Sequence, residues 1–490
     1  MPNPPAIVVP LASRIASATS KLGLSQASVR LLSLITMPLL TRLLPPAAYG
    51  TVALMGTVVS LVAVFALAGI DMSYMRTCTG TMGPFACAAE TFAWQFALLS
   101  ALLAGLVAGA VWFLAAPAVG VPKYLTSLVS LAVLGSVANS MAQTRARLRE
   151  RYGGLSLAIC ASGLASAVVS LSTAFLWRRD AMALVLSLVA SYFVPVLILG
   201  IPSRRSLFAA SKLTWEERSR FLKIGIAGIL TAPAYWVLSS SDRWVLGHFE
   251  GPASVGIYSV GYSVAIMGMM ANDVALSVWT PETVREYAKD PELARITLGG
   301  VAQSIIAAFA CIYLVVAAAG GDVIRLLTAP AFHGAASIVP FVAAAVLFYG
   351  LYHVAASTFL LMHRFSHLVR WWIFGGLFSI SGNLLLVPYL GRVGAALTQT
   401  MTFGVIGIGV LLAAQRLYRL ELSGPRVIGV IAGVLAAGFA MSPAWSTDPL
   451  SSLLMKFPVG VFTAFLVFRL LAPRFLPWAQ HALVMRFRGG

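Results

Sequence analysis

One guanidinium sits where such a group is most costly. Arg30 lies in the first of many long apolar segments, about 12 Å in from Leu22 at helical rise. At that depth a charged side chain needs a water-filled cavity or a partner. Gly23, Gln26, Arg30, Ser33, Met37 and Thr41 recur at steps of three and four, which predicts one narrow, mostly polar stripe. A guanidinium binds phosphate oxygens bidentately, and desolvation strengthens the contact. Arg30 therefore either faces a cavity, with Gln26 and Ser33 beside it for an anionic, hydroxyl-rich cargo, or it snorkels inward or pairs with another helix.

Other titratable groups fall at telling positions. Asp242 and Arg243 close the seventh apolar segment, below a stripe of Thr231, Tyr235 and Ser239, and Arg42 holds the matching place in the first. Arg243, with Tyr235 and Tyr262, reads as a second phosphate-binding cation; the competing reading is a local cap and ion pair between Asp242 and Arg243 that organises the outer gate, with Arg42 as its counterpart in the first lobe. Asp273 is the carboxylate most clearly inside a segment, on one face with Tyr258, Tyr262, Ile266 and Met269. With Asn272 it would exchange a proton or coordinate Na⁺; alternatively it is hydrated, about 8 Å from the segment's end. His353, with Tyr349 and Ser357 one turn away on either side, fits a proton relay or a helix-packing histidine.

Several patterns point away from other chemistry. Lys456 is expected to snorkel at the end of the last segment. His363 and His367 stand four apart without a third ligand, so zinc is not expected. Cys78, Cys87, Cys160 and Cys311 show no metal spacing, and the first two share a loop read as cytoplasmic, where thiols stay reduced. Gly404, Gly407 and Gly409 follow no strand and read as helix-packing positions. There is no nucleotide-binding loop, so ATP drive by this chain is not expected.

The elements that must position these residues follow from composition. Apolar residues make up 59% of the 490 and charged residues 10%, against roughly a quarter charged in soluble domains. This predicts an all-α polytopic membrane protein of about fourteen spans: 22–44, 51–70, 92–115, 124–141, 153–177, 181–201, 222–244, 254–278, 294–319, 336–362, 368–389, 393–414, 425–443 and 450–473. The first carries Arg30 and lacks a small-residue cleavage site, so it reads as a retained span. Of the 34 Lys and Arg, about 25 fall on one side of this arrangement, about 8 on the other, and Arg30 lies within a span. The rich side is the cytoplasm by the positive-inside rule, with both termini inside. Most of the +18 charge is therefore a topology signal, and nucleic acid is not an expected partner. The outer loops are too short to fold as a catalytic domain, so the chain does not read as an enzyme.

The chain divides into a cytoplasmic N-terminus (1–21), an N-lobe (22–201), a linker (202–221), a C-lobe (222–414), two further spans (415–473) and a tail (474–490). Within the linker, Lys212 to Glu217 is an amphipathic patch suited to anionic lipid headgroups. A parallel internal repeat supports the two six-span lobes. TRLLPPAAYGTVALMGTVVSLV from Thr41 and SDRWVLGHFEGPASVGIYSVGYSVAIM from Ser241 both place a hydroxyl and an Arg at a helix end. A Pro-bearing turn follows, then Gly and Tyr in the next helix.

Three stretches in order carry a family resemblance: PLLTRLLPPAAYGTVAL (Pro38 to Leu54), SDRWVLGHFEGPASVGIYSVGYS (Ser241 to Ser263) and NLLLVPYLGRVGAALTQT (Asn383 to Thr400). They resemble the polysaccharide-transporter branch, which includes O-antigen flippases, of the multidrug/oligosaccharidyl-lipid/polysaccharide flippase superfamily. The resemblance covers spans 1 to 12 and leaves spans 13 and 14 without a motif. It implies a two-lobed bundle that alternates between inward- and outward-open states in the bacterial inner membrane. It implies, too, an undecaprenyl-diphosphate-linked oligosaccharide as cargo and H⁺ or Na⁺ as coupling ion, with no other cofactor. Membrane lipids are partners, and polysaccharide polymerase and export proteins are possible ones; a monomer is the default. A lipid II flippase and a cation-coupled multidrug exporter share the fold. Cationic drugs would favour buried acids, whereas the deepest charge here is basic. A glycan polymerase or ligase would need a large outer loop, and a channel or scaffold is a weaker reading.

Overall fold

The computed structural model describes residues 8–79, 84–203, 207, 213–229 and 232–471. Parts of the N-terminus and of the linker, including Lys212, and the whole of the tail lie outside them. The described residues form helices and no strand. In order these are α1 (Val8–Leu43), α2 (Pro46–Leu67), α3 (Ile70–Cys78), α4 (Pro84–Val119), α5 (Thr126–Leu148), α6 (Tyr152–Leu176), α7 (Ala181–Leu199) and α8 (Trp215–Ile229). Then come α9 (Ala232–Ala265), α10 (Met269–Lys289), α11 (Pro291–Leu327), α12 (Val339–Leu361), α13 (Phe365–Leu417), α14 (Gly424–Met441) and α15 (Pro449–Leu471).

Twelve stretches among the described residues are long and apolar enough to cross a membrane. Two of them, Trp236–Lys289 and Ser366–Leu417, run to 54 and 52 residues, against the roughly 20 that one crossing needs. Each is broken by a glycine with positive φ, Gly251 at 80° and Gly391 at 54°, a conformation that side chains with a β-carbon resist. Counted as two crossings each, they restore the fourteen expected spans.

Local chemistry sets many of the ends. Pro46 occupies the first turn of α2, where its missing N–H costs nothing. The Asp180 carboxylate accepts from Met182 N at 2.9 Å to start α7, and Asp290 caps α11 in the same way. Thr214 and Glu217 form a reciprocal capping box at the head of α8: Glu217 Oε2 accepts from Thr214 N at 2.7 Å, and Thr214 Oγ1 from Glu217 N at 3.3 Å.

By internal contacts the chain forms two compact units: residues 1–236 with 250–256, and 237–249 with 257–490. In the first, Ala89, Ala93, Ala97 and Ala101 recur every four residues on α4, and Ala138, Ala142 and Ala146 do so on α5. Small faces of this kind let helices approach closely where apolar transfer supplies no drive. Around them Trp94, Ile70, Met141 and Leu155 fill the core. Helix α5 sits centrally, flanked by α2, α3, α4, α6 and α7, while α1 packs on α6 with Val29 facing Gly163.

In the second unit α11 is the spine, packing against α12, α14 and α15 through Ile306, Phe309, Tyr313 and Leu314. The expectation that Lys456 snorkels is corrected here. Lys456 is 3% exposed, and its Nζ donates to Asp322 Oδ2 at 2.6 Å and to Ala318 O at 3.0 Å. Asp322, itself 1% exposed, also accepts from Ser452 Oγ at 3.0 Å. The sequence spacing hid this because the partner lies on α11, more than a hundred residues earlier.

Candidate functional site

In the first unit Arg30 lies half-buried on α1. Its Nη1 is shielded from solvent without a hydrogen-bond partner, and no carboxylate pairs with it among the described residues. Gln26 and Ser33 are exposed, and Ser33 Oγ donates to Arg30 O at 2.7 Å. Met37 and Thr41 are buried, so the accessible stripe is confined to the part of α1 that holds these three residues. Arg42 is exposed in the last turn of α1.

The two copies of the internal repeat also meet here. Both read Pro-x-x-x-Gly: Pro46 to Gly50 opens α2, and Pro252 to Gly256 follows the break in α9. Their backbones touch so closely that a β-carbon on Gly50 would lie 1.7 Å from Pro252 O. One on Gly256 would lie 1.9 Å from Pro46 O. Only two glycines permit that approach.

In the second unit a buried polar network joins three expected residues to several that sequence reasoning missed. Tyr258 Oη donates to Asp242 Oδ2 at 2.6 Å and lies 3.2 Å from Gln399 Oε1. Gln399 Nε2 donates to Tyr262 Oη at 3.3 Å, and the Arg243 guanidinium lies 4.6 Å over the Tyr262 ring. Asp242 and Arg243 do not form the side-chain ion pair that one reading expected. The carboxylate turns to Tyr258 and to the backbone N–H of Arg243, while Arg243 Nη1 donates to Ser239 O at 2.9 Å.

Beside Asp242, the hydroxyls of Ser241 and Ser379 are 3.4 Å apart, and Asn383 Nδ2 donates to Ser379 Oγ at 3.4 Å. Asn383 and Thr398 are 1% and 0% exposed, yet Asn383 Oδ1 and Thr398 Oγ1 have no partner among the described residues. Buried oxygens left this way are costly unless a water, ion or ligand satisfies them. The sequence signal was present in NLLLVPYLGRVGAALTQT. Its polar positions converge only because Gly391 folds the two halves of α13 against each other.

The remaining expected residues are dispersed. Asn272 is buried and donates to Val346 O at 3.0 Å, whereas Asp273 is exposed, so the structure does not bring this pair together. His353 lies edge-on to Tyr349 and Tyr352, with ring centroids 4.4 and 5.0 Å away, and Tyr352 Oη accepts from Trp372 Nε1 at 2.7 Å. Thr231 and the side chain of Tyr235 lie outside the described residues.

The comparisons agree with this architecture. A family model described as polysaccharide biosynthesis protein matches residues 15–287, more than half of the chain. Among curated proteins, none matches by sequence. The lipid II flippase MurJ in an inward-closed conformation is similar in structure, with a TM-score of 0.70 at 12% identity over 93% of this chain and 99% of that one. An inward-facing multidrug resistance MATE family transporter gives a TM-score of 0.59 at 14% identity, over 81% of this chain and 99% of that one. A mutant of the Vibrio cholerae MATE transporter VcmN gives 0.51 at 12% identity, over 84% and 98%. The chain belongs to the polysaccharide biosynthesis protein family and has the fold of the multidrug/oligosaccharidyl-lipid/polysaccharide flippase superfamily.

Proposed function

We propose that this protein is a flippase that carries an undecaprenyl-diphosphate-linked oligosaccharide from the cytoplasmic to the periplasmic leaflet of the bacterial inner membrane. It works as a transporter, breaking no bond, by ion-coupled alternating access, and both termini lie in the cytoplasm. The observation that carries this reading is Arg30, a guanidinium on an apolar span with no carboxylate partner among the described residues, in a chain of the polysaccharide biosynthesis family. A diphosphate supplies the charge that such a group lacks, and Gln26 and Ser33 offer hydrogen bonds next to it. Arg243 over Tyr262 is the second cation, placed to receive the diphosphate late in the cycle. A drug exporter for cations fits less well, because the accessible charge on α1 is positive.

The coupling ion, H⁺ or Na⁺, is assigned to the Asp242 network. Asp242 is bonded to Tyr258, which reaches Gln399, and two buried oxygens on α13, Asn383 Oδ1 and Thr398 Oγ1, lack partners among the described residues, which suits a small hard cation. Asp273 and His353 remain secondary candidates, because Asp273 is exposed and His353 has aromatic neighbours.

Deleting the gene in its host and restoring it with wild type or Arg30→Ala at matched abundance tests the proposal. Wild type restores surface polysaccharide, while Arg30→Ala leaves the undecaprenyl-linked unit trapped on the cytoplasmic leaflet. Deletion without any trapped intermediate would reject the assignment.

A further inference from the structure

Helix α5 carries a second polar stripe. Ser136, Asn139, Ser140, Gln143 and Arg147 recur at steps of three and four, so they share one face over about 16 Å of helix. Between Ala132 and Ala146, most of the helix is buried. The positions left half-exposed are Leu134, Arg145 on the opposite face, and the four neutral polar residues of the stripe. A strip in contact with lipid tails reads differently: α15 exposes Leu454, Phe457, Val461, Phe462 and Phe465. With five helices packed around α5, these half-exposed polar positions are the accessible part of an otherwise buried stretch of the first unit.

Helix-packing glue is the bland explanation, and the bonding pattern argues against it. Gln143 Nε2 donates to Asn139 Oδ1 at 3.1 Å, and Arg147 Nη2 donates to Gln143 Oε1 at 3.4 Å. Both bonds run along α5 and join no second helix. Across helices, among the described residues, the stripe makes one long contact, Ser140 Oγ to Asp71 Oδ2 at 3.5 Å, and one hydrogen bond between Ser136 and Tyr192 of α7. Two amides and two hydroxyls thus keep donors and acceptors free to exchange for those of a ligand.

We infer that this ladder binds the sugar hydroxyls and amide groups of the lipid-linked oligosaccharide, separately from the cations that hold the diphosphate. Neutral groups that both donate and accept match a glycan, whereas a diphosphate only accepts and is held first by cations. The inference rests on the flippase reading and adds to it which part of the cargo the first unit recognises.

Binding to the purified full chain in nanodiscs tests it with two probes. One is bare undecaprenyl diphosphate; the other is the lipid-linked oligosaccharide extracted from cells lacking this chain. Asn139→Leu with Gln143→Leu should weaken the glycosylated lipid by about tenfold or more and leave the bare lipid unchanged, since several hydrogen bonds go and no charge does. Arg30→Ala should weaken both. Should the leucine pair not fold, Asn139→Ser with Gln143→Ser keeps the polarity, shortens the reach, and should still weaken the glycosylated lipid alone. Equal binding of the glycosylated lipid by variant and wild type, or equal loss of both lipids, would overturn the ladder. Failure of wild type to bind either lipid would instead bring down the flippase reading itself.

Discussion

Removing one partner of the Lys456–Asp322 pair should damage the protein far more than removing both. Lys456→Met preserves the length of the side chain but leaves Asp322, 1% exposed, with Ser452 as its remaining side-chain partner. Breaking a buried ion pair from one side typically costs about 3–5 kcal/mol, because the other charge stays desolvated and unpaired. That is well above the ~0.6 kcal/mol typical of neutral bonds between membrane helices. The double variant Lys456→Met with Asp322→Leu removes both desolvation penalties and should match wild type or exceed it by about 1–4 kcal/mol. Equilibrium unfolding in mixed micelles, read by tryptophan fluorescence, orders the three proteins. Because α15 docks on α11 at this level, the single variant should also lose its C-terminal helices to protease first. Wild-type stability in Lys456→Met would show that the pair does not form. A double variant as weak as the single would show that the polar groups are needed in their own right.

Other perturbations test separate parts of the account. Gly50→Val forces apart backbones that leave no room for a β-carbon, and should cost about 1–3 kcal/mol as overpacking does and abolish transport; wild-type stability would refute the close contact. Tyr258→Phe removes the hydroxyl that bonds Asp242 and should raise the half-saturating concentration of the coupling ion without changing affinity for the lipid-linked cargo, read from initial transport rates. Burial first, then Glu90 and Cys87, push the Cys78 thiol up to about 11, so near neutral pH an impermeant maleimide should label exposed Cys87 well before Cys78. The lag should shrink as pH rises toward that value, and both thiols should react only from the cytoplasmic side. Labelling from the periplasm would invert the topology.

Much of the fold was legible because membrane spans obey a one-dimensional rule. Apolar length alone marks them, and it located the fourteen crossings even where Gly251 and Gly391 join two crossings in one helical run. Arg30 was legible for the same reason: a charge in an apolar run stands out without knowledge of its neighbours. The Asp242 network was not. Its members come from α9 on both sides of Gly251 and from both halves of α13, and each alone looks like an ordinary polar residue in a span. Lys456 failed for a related reason, since snorkelling is the default for a lysine near a span's end and only packing on α11 reveals Asp322. Adjacency in sequence misled once: Asn272 and Asp273 are neighbours, but successive helical residues point about 100° apart, and one is buried while the other is exposed.

The central claim is that this chain moves a lipid-linked oligosaccharide across a bilayer using Arg30. It is tested most directly by reconstituting the purified protein in liposomes that hold the extracted lipid-linked oligosaccharide in the inner leaflet, and following its appearance outside with a membrane-impermeant glycosidase. Wild type should expose the cargo far faster than protein-free liposomes, and faster still with an ion gradient imposed. Arg30→Ala should slow exposure by about tenfold to a hundredfold, the range expected for losing a charge-assisted contact to phosphate. Wild type no faster than empty liposomes, or Arg30→Ala as fast as wild type, would contradict the account.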